Sequence, residues 1–163
     1  MPGASFQIRP VRSLGELQAT VALFEAYASS LAIDLSYQDF TAEVATMPGK
    51  YAPPSGELLP ARDDHGEPLG CVALRPLPAS GCCEMKRLYV SPQSRGLGLG
   101  RALVDAILDV ARRIGYREMR LDTLPAMAEA ISLYKQAGFM PIGPYYETPL
   151  AGTIFLMKPL AVT

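Results

Sequence analysis

The stretch Arg95-Gly96-Leu97-Gly98-Leu99-Gly100 constrains this chain more than any other. It follows an apolar run, Met85 to Val90, and opens a pattern of helical period that begins near Leu99. A strand, a glycine-dense turn and a helix in that order make an anion site. The first amides of a helix lack internal partners and point outward, and the helix dipole adds partial positive charge at the same end. Glycine lets the backbone approach a phosphate because no Cβ stands in the way. Arg95 adds a guanidinium fork for the same ligand.

The rest of the sequence sets limits around that turn. A chain of 163 residues suits one domain, residues 1–163. An apolar content of 49% is enough for a sizeable core. A net charge of −1 with no basic stripe argues against nucleic acid as the main ligand. Met1 to Pro10 lacks the apolar centre of a signal peptide, and no run is long enough to span a bilayer. The expectation is a soluble cytoplasmic protein with no membrane partner. Cys71, Cys82 and Cys83 are odd in number, form no C-x-x-C and lie in apolar strand-like stretches. They read as buried small hydrophobes rather than a disulfide or metal site. The single histidine, His65, falls in a hairpin turn, Asp63-Asp64-His65-Gly66-Glu67, which argues against histidine-based catalysis.

Taken in order, Ser5 to Val11 reads as a first strand. Ser13 reads as the N-cap of a helix to about Ser29, with Leu17, Val21, Leu23 and Phe24 inward. A shorter helix is predicted over Tyr37 to Thr46, with Phe40 and Val44 inward. Pro48, Gly49, Pro53, Pro54 and Gly56 then break the chain. That loop either borders a substrate pocket or simply connects. Glu57 to Ala61 and Pro68 to Pro76 form a hairpin closed by Asp63 to Gly66, and Cys82 to Val90 is its next antiparallel partner. Leu99, Ala102, Leu103, Ala106, Ile107, Val110 and Ile114 recur at helical steps, ended by Gly115. Met119 to Thr123 is a strand, and the strand–helix–strand connection makes it parallel to Cys82–Val90. Pro125 suits the first turn of another helix, with Met127, Ala130, Ile131, Tyr134 and Ala137 inward. Phe139 to Ile142 and Thr153 to Leu160 are final strands around a loop with exposed aromatics, Gly143-Pro144-Tyr145-Tyr146-Glu147.

Several readings of the glycine turn compete. A Walker P-loop needs G-x-x-x-x-G-K-[ST], and counting from Gly96 puts Arg101 at its second glycine. A dinucleotide fingerprint needs G-x-G-x-x-G, and Arg101 again replaces the third glycine. A tight turn with no ligand is a third possibility. The fourth is Arg-x-x-Gly-x-Gly at Arg95, Gly98 and Gly100. Leu88-Tyr89-Val90 stands before it, and Ala130-Ile131-Ser132-Leu133-Tyr134 with Gly138-Phe139 stands after it. In these residues the second half, about Cys82 to Leu160, resembles the GNAT superfamily of acetyl-coenzyme A-dependent N-acetyltransferases. The first half matches only in the order of its elements.

The resemblance implies a mixed α/β fold: a central sheet of six to seven strands, helices on both faces, and a splay between two parallel strands. It implies that pantetheine pairs with the main chain of Leu88 and Val90, beside Tyr89. The diphosphate of the cofactor would sit on the amides of Arg95, Gly96, Leu97, Gly98, Leu99 and Gly100, with Arg101 and Ala102 at the helix start. Tyr134 matches the family tyrosine that protonates the departing thiolate. Glu84 matches a glutamate base of some branches, with a structural ion pair to Lys86, Arg87 or a helix as the other reading; Asp122 is a weaker alternative. Where the family often carries asparagine there is Met127, so Thr123 or a backbone group would have to replace one cofactor contact. The acceptor, a small-molecule or peptide amine, would be lined by helices near Leu31 to Tyr37 and by Tyr51, Tyr145 and Tyr146. Attack would be direct within a ternary complex, and a homodimer is compatible. A non-catalytic acyl-coenzyme A sensor and a nicotinamide-dependent enzyme are the rival functions.

Overall fold

The computed structural model describes residues 5–31 and 39–160. In chain order the elements are β1 (Phe6–Ile8), α1 (Leu14–Ser30), α2 (Phe40–Ala45), β2 (Glu57–Asp63), β3 (Pro68–Pro76), β4 (Cys82–Val90), α3 (Leu99–Ile114), β5 (Glu118–Thr123), α4 (Ala128–Gln136), β6 (Met140–Ile142) and β7 (Ile154–Pro159). Among the described residues the strands form one mixed sheet in the order β1-β2-β3-β4-β5-β7-β6. β4 and β5 are its parallel pair, and every other neighbouring pair is antiparallel.

Local chemistry explains most of the boundaries. Ser13 caps α1 by accepting the Glu16 N–H at 3.2 Å. Gly115 ends α3 at φ 108°, where a side chain would be crowded. The first strand is shorter than Ser5 to Val11. Pro10 has no N–H to give, yet the Val11 N–H still reaches Leu58 O at 3.1 Å, so the chain keeps company with β2. The second helix is observed over Phe40–Ala45, and Tyr37 lies outside the described residues. The helix foreseen from Pro125 starts at Ala128, because Pro125 first enters a turn closed by Met127 N–H on Leu124 O.

Each face of the sheet carries its own core. On one face, Leu59, Val72, Leu74, Cys83 and Met85 meet Leu99, Leu103 and Ile107 of α3 and Tyr134 of α4. On the other, Leu58, Cys71 and Ala73 meet Leu23 and Phe24 of α1. Fully burying one such leucine or phenylalanine contributes roughly 1.5–3 kcal/mol, so both layers are firmly seated. Tyr51 belongs to the second core. A 3-10 turn over Gly49–Tyr51 swings it inward to 2% exposure, edge-on to Phe24 at 5.8 Å. It is therefore packing material rather than part of an exposed loop wall.

Two irregularities in β4 position everything that follows. Ala73 lies opposite Lys86 and Cys71 opposite Tyr89, so three steps on β4 match two on β3. That is a bulge, and it inverts the strand's alternation. Glu84 and Lys86 share the α1 face before it, and Tyr89 faces the same way after it; Leu88 and Val90 pass to the α3 face. Second, β4 pairs with β5 only from Cys82↔Glu118 to Glu84↔Arg120. Beyond that point the strands diverge, which is the expected splay.

Candidate active site

The gap between the strands has one wall in β4. Ser91 N–H donates to Leu69 O at 2.8 Å, on the β3 side. By strand alternation the peptide groups of Leu88 and Val90 turn the opposite way, into the gap. The side chain of Tyr89 turns from the gap and packs edge-on to Tyr27 at 6.2 Å.

At the far end of the gap, α3 begins without a side-chain cap, its N-cap being Gly98 at φ 77°. Gly96, at φ 82°, and Gly98 occupy the left-handed region, and a Cβ on either would meet nothing within 4 Å. The space beside these two glycines is open and the start of α3 carries no side-chain cap, a combination that suits an anion. The remaining residues of the turn divide the work. Leu99 is 1% exposed and anchors the helix in the core, whereas Leu97 is exposed. A Cβ on Gly100 would stand 2.8 Å from Leu133 Cδ1 on α4, the far end of a side chain that can turn aside. Arg95 is exposed. Arg101 pairs with Asp105 one turn on at 3.1 Å, an exposed contact worth only about 0.3–0.5 kcal/mol and so readily given up to a phosphate.

The α1 face carries buried charges where the strands part. Glu84 is 1% exposed. Its Oε1 accepts from Arg75 Nε at 2.8 Å and its Oε2 from the Tyr145 hydroxyl at 2.5 Å. The foreseen alternative of an ion pair with Lys86, Arg87 or a helix is corrected: the partner is Arg75, directly opposite on β3. Two residues beyond Glu84, Lys86 Nζ stands 3.7 Å from Asp122 Oδ2. The same carboxylate oxygen accepts from the Tyr146 hydroxyl at 2.9 Å. Burial draws the Lys86 ammonium below its ordinary pKa, and Asp122 works against that shift. Phe155 fills the space between, 5.2 Å from the Tyr145 ring and 5.3 Å from that of Tyr146. The loop foreseen as exposed aromatics is therefore turned in on the sheet.

Tyr134 projects from α4, 6% exposed and edge-on to Phe139 at 5.9 Å. Burial raises its pKa, and the nearby Tyr27 and Asp122 add to the rise. The phenol therefore keeps its proton across the neutral range. The cysteines sit as expected for core residues, all three buried and free, and burial pushes the Cys83 thiol up to about 12. Thr123 turns its hydroxyl to the Met127 sulfur at 3.8 Å.

The structure thus gathers Glu84, Asp122, Tyr145 and Tyr146 at the fork and leaves Tyr51 in the core. Sequence reasoning missed Arg75 and gave Lys86 no role beyond a possible partner for Glu84. The signal was present: Glu84, Lys86 and Arg87 are three charges inside an otherwise apolar strand, and such charges are almost never buried unpaired.

A family model described as the acetyltransferase (GNAT) family matches residues 19–139. An uncharacterized N-acetyltransferase of Schizosaccharomyces pombe is 42% identical over 156 residues, covering 96% of each chain. Among solved structures, an acetyltransferase of the GNAT family from Staphylococcus aureus superposes with a TM-score of 0.79 at 17% identity, over 96% of this chain and 100% of that one. A phosphinothricin acetyltransferase from Sinorhizobium meliloti, solved with AcCoA, superposes with a TM-score of 0.70 at 20% identity, over 95% and 88%.

Proposed function

Because the chain belongs to the acetyltransferase (GNAT) family, we propose that it carries an acetyl group from acetyl-coenzyme A to a primary amine of a small molecule or peptide. The reading rests on one observation above the rest: a strand gap that opens after Glu84 and leads to the uncapped start of α3. Acetyl-coenzyme A supplies an acyl group activated as a thioester. The amides of Arg95 to Gly100, with Arg101 and Ala102, hold its diphosphate, and the peptide groups of Leu88 and Val90 hold its pantetheine arm as an added strand would. The open space over Gly96 and Gly98 fits that ligand.

The chemistry then divides between two proton carriers. A lysine-like amine has a pKa of about 10.4 and arrives as ammonium without a lone pair. Asp122 is the better-placed acceptor of its proton. Its side chain is 12% exposed, and Tyr146 and Lys86 both approach a single oxygen, Oδ2. Glu84 has both oxygens engaged and is reached through Tyr145. The freed amine attacks the thioester carbonyl directly, the C–S bond breaks and the departing sulfur takes the proton of Tyr134; the attacking nitrogen loses its second proton as the amide forms, and that proton restores the phenol. Tyr145 and Tyr146 line the acceptor's approach. The chain works as one acetyltransferase unit in the cytoplasm, and a homodimer is compatible with it. Among the described residues no helix is long and apolar enough to cross a membrane.

A panel of amines with thiol release as the readout tests the reading. Asp122→Asn keeps the contact with Tyr146 and should lower kcat by about 10²-fold, the lower end for acid–base catalysis, because Tyr145 and Glu84 remain as a second outlet. Undiminished turnover would remove Asp122 from the mechanism. Coenzyme A binding without thiol release for any amine would make the chain a sensor.

A further inference from the structure

Arg87 absorbs the extra residue of the β4 bulge at φ 60°, a conformation in which a Cβ is crowded and which glycine adopts freely. What holds a large charged residue there is visible. Its side chain is 2% exposed, and its Nε and Nη2 donate to the two carboxylate oxygens of Glu43 at 3.0 and 3.1 Å. Its guanidinium lies over the rings of Phe40, at 5.1 Å, and Tyr27, at 5.9 Å. A forked, buried pair of this kind fixes geometry as well as charge. Removing one partner strands the other in a medium that cannot solvate it. α2 has no fully buried side chain of its own; Phe40 and Val44 pack against the second core, and the fork ties that helix to β4.

We infer that Glu43 is a positioning residue for the acetyl donor: by gripping Arg87 it holds the left-handed turn that aims the peptide groups of Leu88 and Val90 into the gap. Glu43 acts through Arg87 and not on the donor itself. The inference rests on reading the gap as the donor's groove. It separates the work of Arg87, which is to adopt an unfavourable turn, from the work of Glu43, which is to keep it there.

Calorimetric binding of coenzyme A to the whole protein tests this with three variants. Arg87→Gln removes the fork and keeps the crowded Cβ, whereas Arg87→Gly in the background of Glu43→Gln removes both partners and leaves a residue that makes the turn unaided. The dissociation constant should rise roughly tenfold, about 1.4 kcal/mol, for Arg87→Gln and for Glu43→Gln, and return to within about threefold of the parent in Glu43→Gln/Arg87→Gly. An ion pair that served stability alone would leave the dissociation constant of every folded variant unchanged, while glycine, which weakens a strand, would lower the melting temperature further. Undiminished binding by folded Glu43→Gln would overturn the inference, as would a glycine double variant no better than Arg87→Gln. That last comparison decides the matter if Glu43→Gln fails to fold. A parent protein that does not bind coenzyme A would overturn the donor reading and this inference with it.

Discussion

Replacing Tyr134 with phenylalanine is expected to lower kcat by about 10³-fold, within the range for a positioned general acid. The dissociation constant for acetyl-coenzyme A should stay within about threefold, because the ring keeps its place. That place is set by Phe139 at 5.9 Å and by a core that leaves the side chain 6% exposed; neither depends on the hydroxyl. Neither anchor involves the hydroxyl, so thermal stability should hold. The pH profile offers a second check. Burial, with Tyr27 and Asp122 adding to it, raises the phenol above its ordinary value of 10.0. The acid form therefore predominates throughout the neutral range, and Tyr134 should contribute no basic limb below about pH 10. Unchanged turnover in the phenylalanine variant would assign the proton to another donor.

The second large effect is structural. A Cβ at Gly70 would stand 2.4 Å from the Tyr89 carbonyl oxygen and 3.3 Å from Val90 Cα. Both are backbone atoms in the strand that walls the gap, so no rotamer change relieves the clash. Gly70→Ala should cost about 3 kcal/mol, the upper end for overpacking, and lower the melting temperature by roughly 10 °C for a chain of this size. It should also weaken coenzyme A binding, because β4 must shift at Tyr89 and Val90. Gly15→Ala is the control: its Cβ meets nothing within 4 Å in α1, and alanine there should gain up to about 1 kcal/mol. A Gly70→Ala protein as stable as the parent would show that β3 and β4 can separate at the bulge at little cost.

Much of the architecture could be read from residue spacing. Leu99 to Ile114 with Gly115 marked α3, and Cys82 to Val90 marked β4, because each combines a regular stripe with an abrupt stop. The family resemblance supplied the fork between β4 and β5. What spacing could not give was direction. Tyr51 and Tyr145 are the same residue type in similar irregular settings, yet one enters the core and the other reaches Glu84, 61 positions away in sequence. Such choices are made by tertiary contacts, which no local pattern encodes. Arg75 is an intermediate case. It lies nine positions from Glu84 across a hairpin, and counting the register from the Pro78–Gly81 turn would have paired them.

The sheet divides its labour by layer. The groups read as holding the donor belong to the turn, α3 and the α3-facing half of β4, whereas Tyr145, Tyr146, Glu84 and Asp122 stand on the opposite side with α1. On the proposed reading, a lineage carrying this scaffold could drift in what it modifies through residues 143–152, while its hold on the common currency of acyl transfer stayed intact. Variation in that segment, set against constancy around Gly98, is the pattern that such a partition leaves behind.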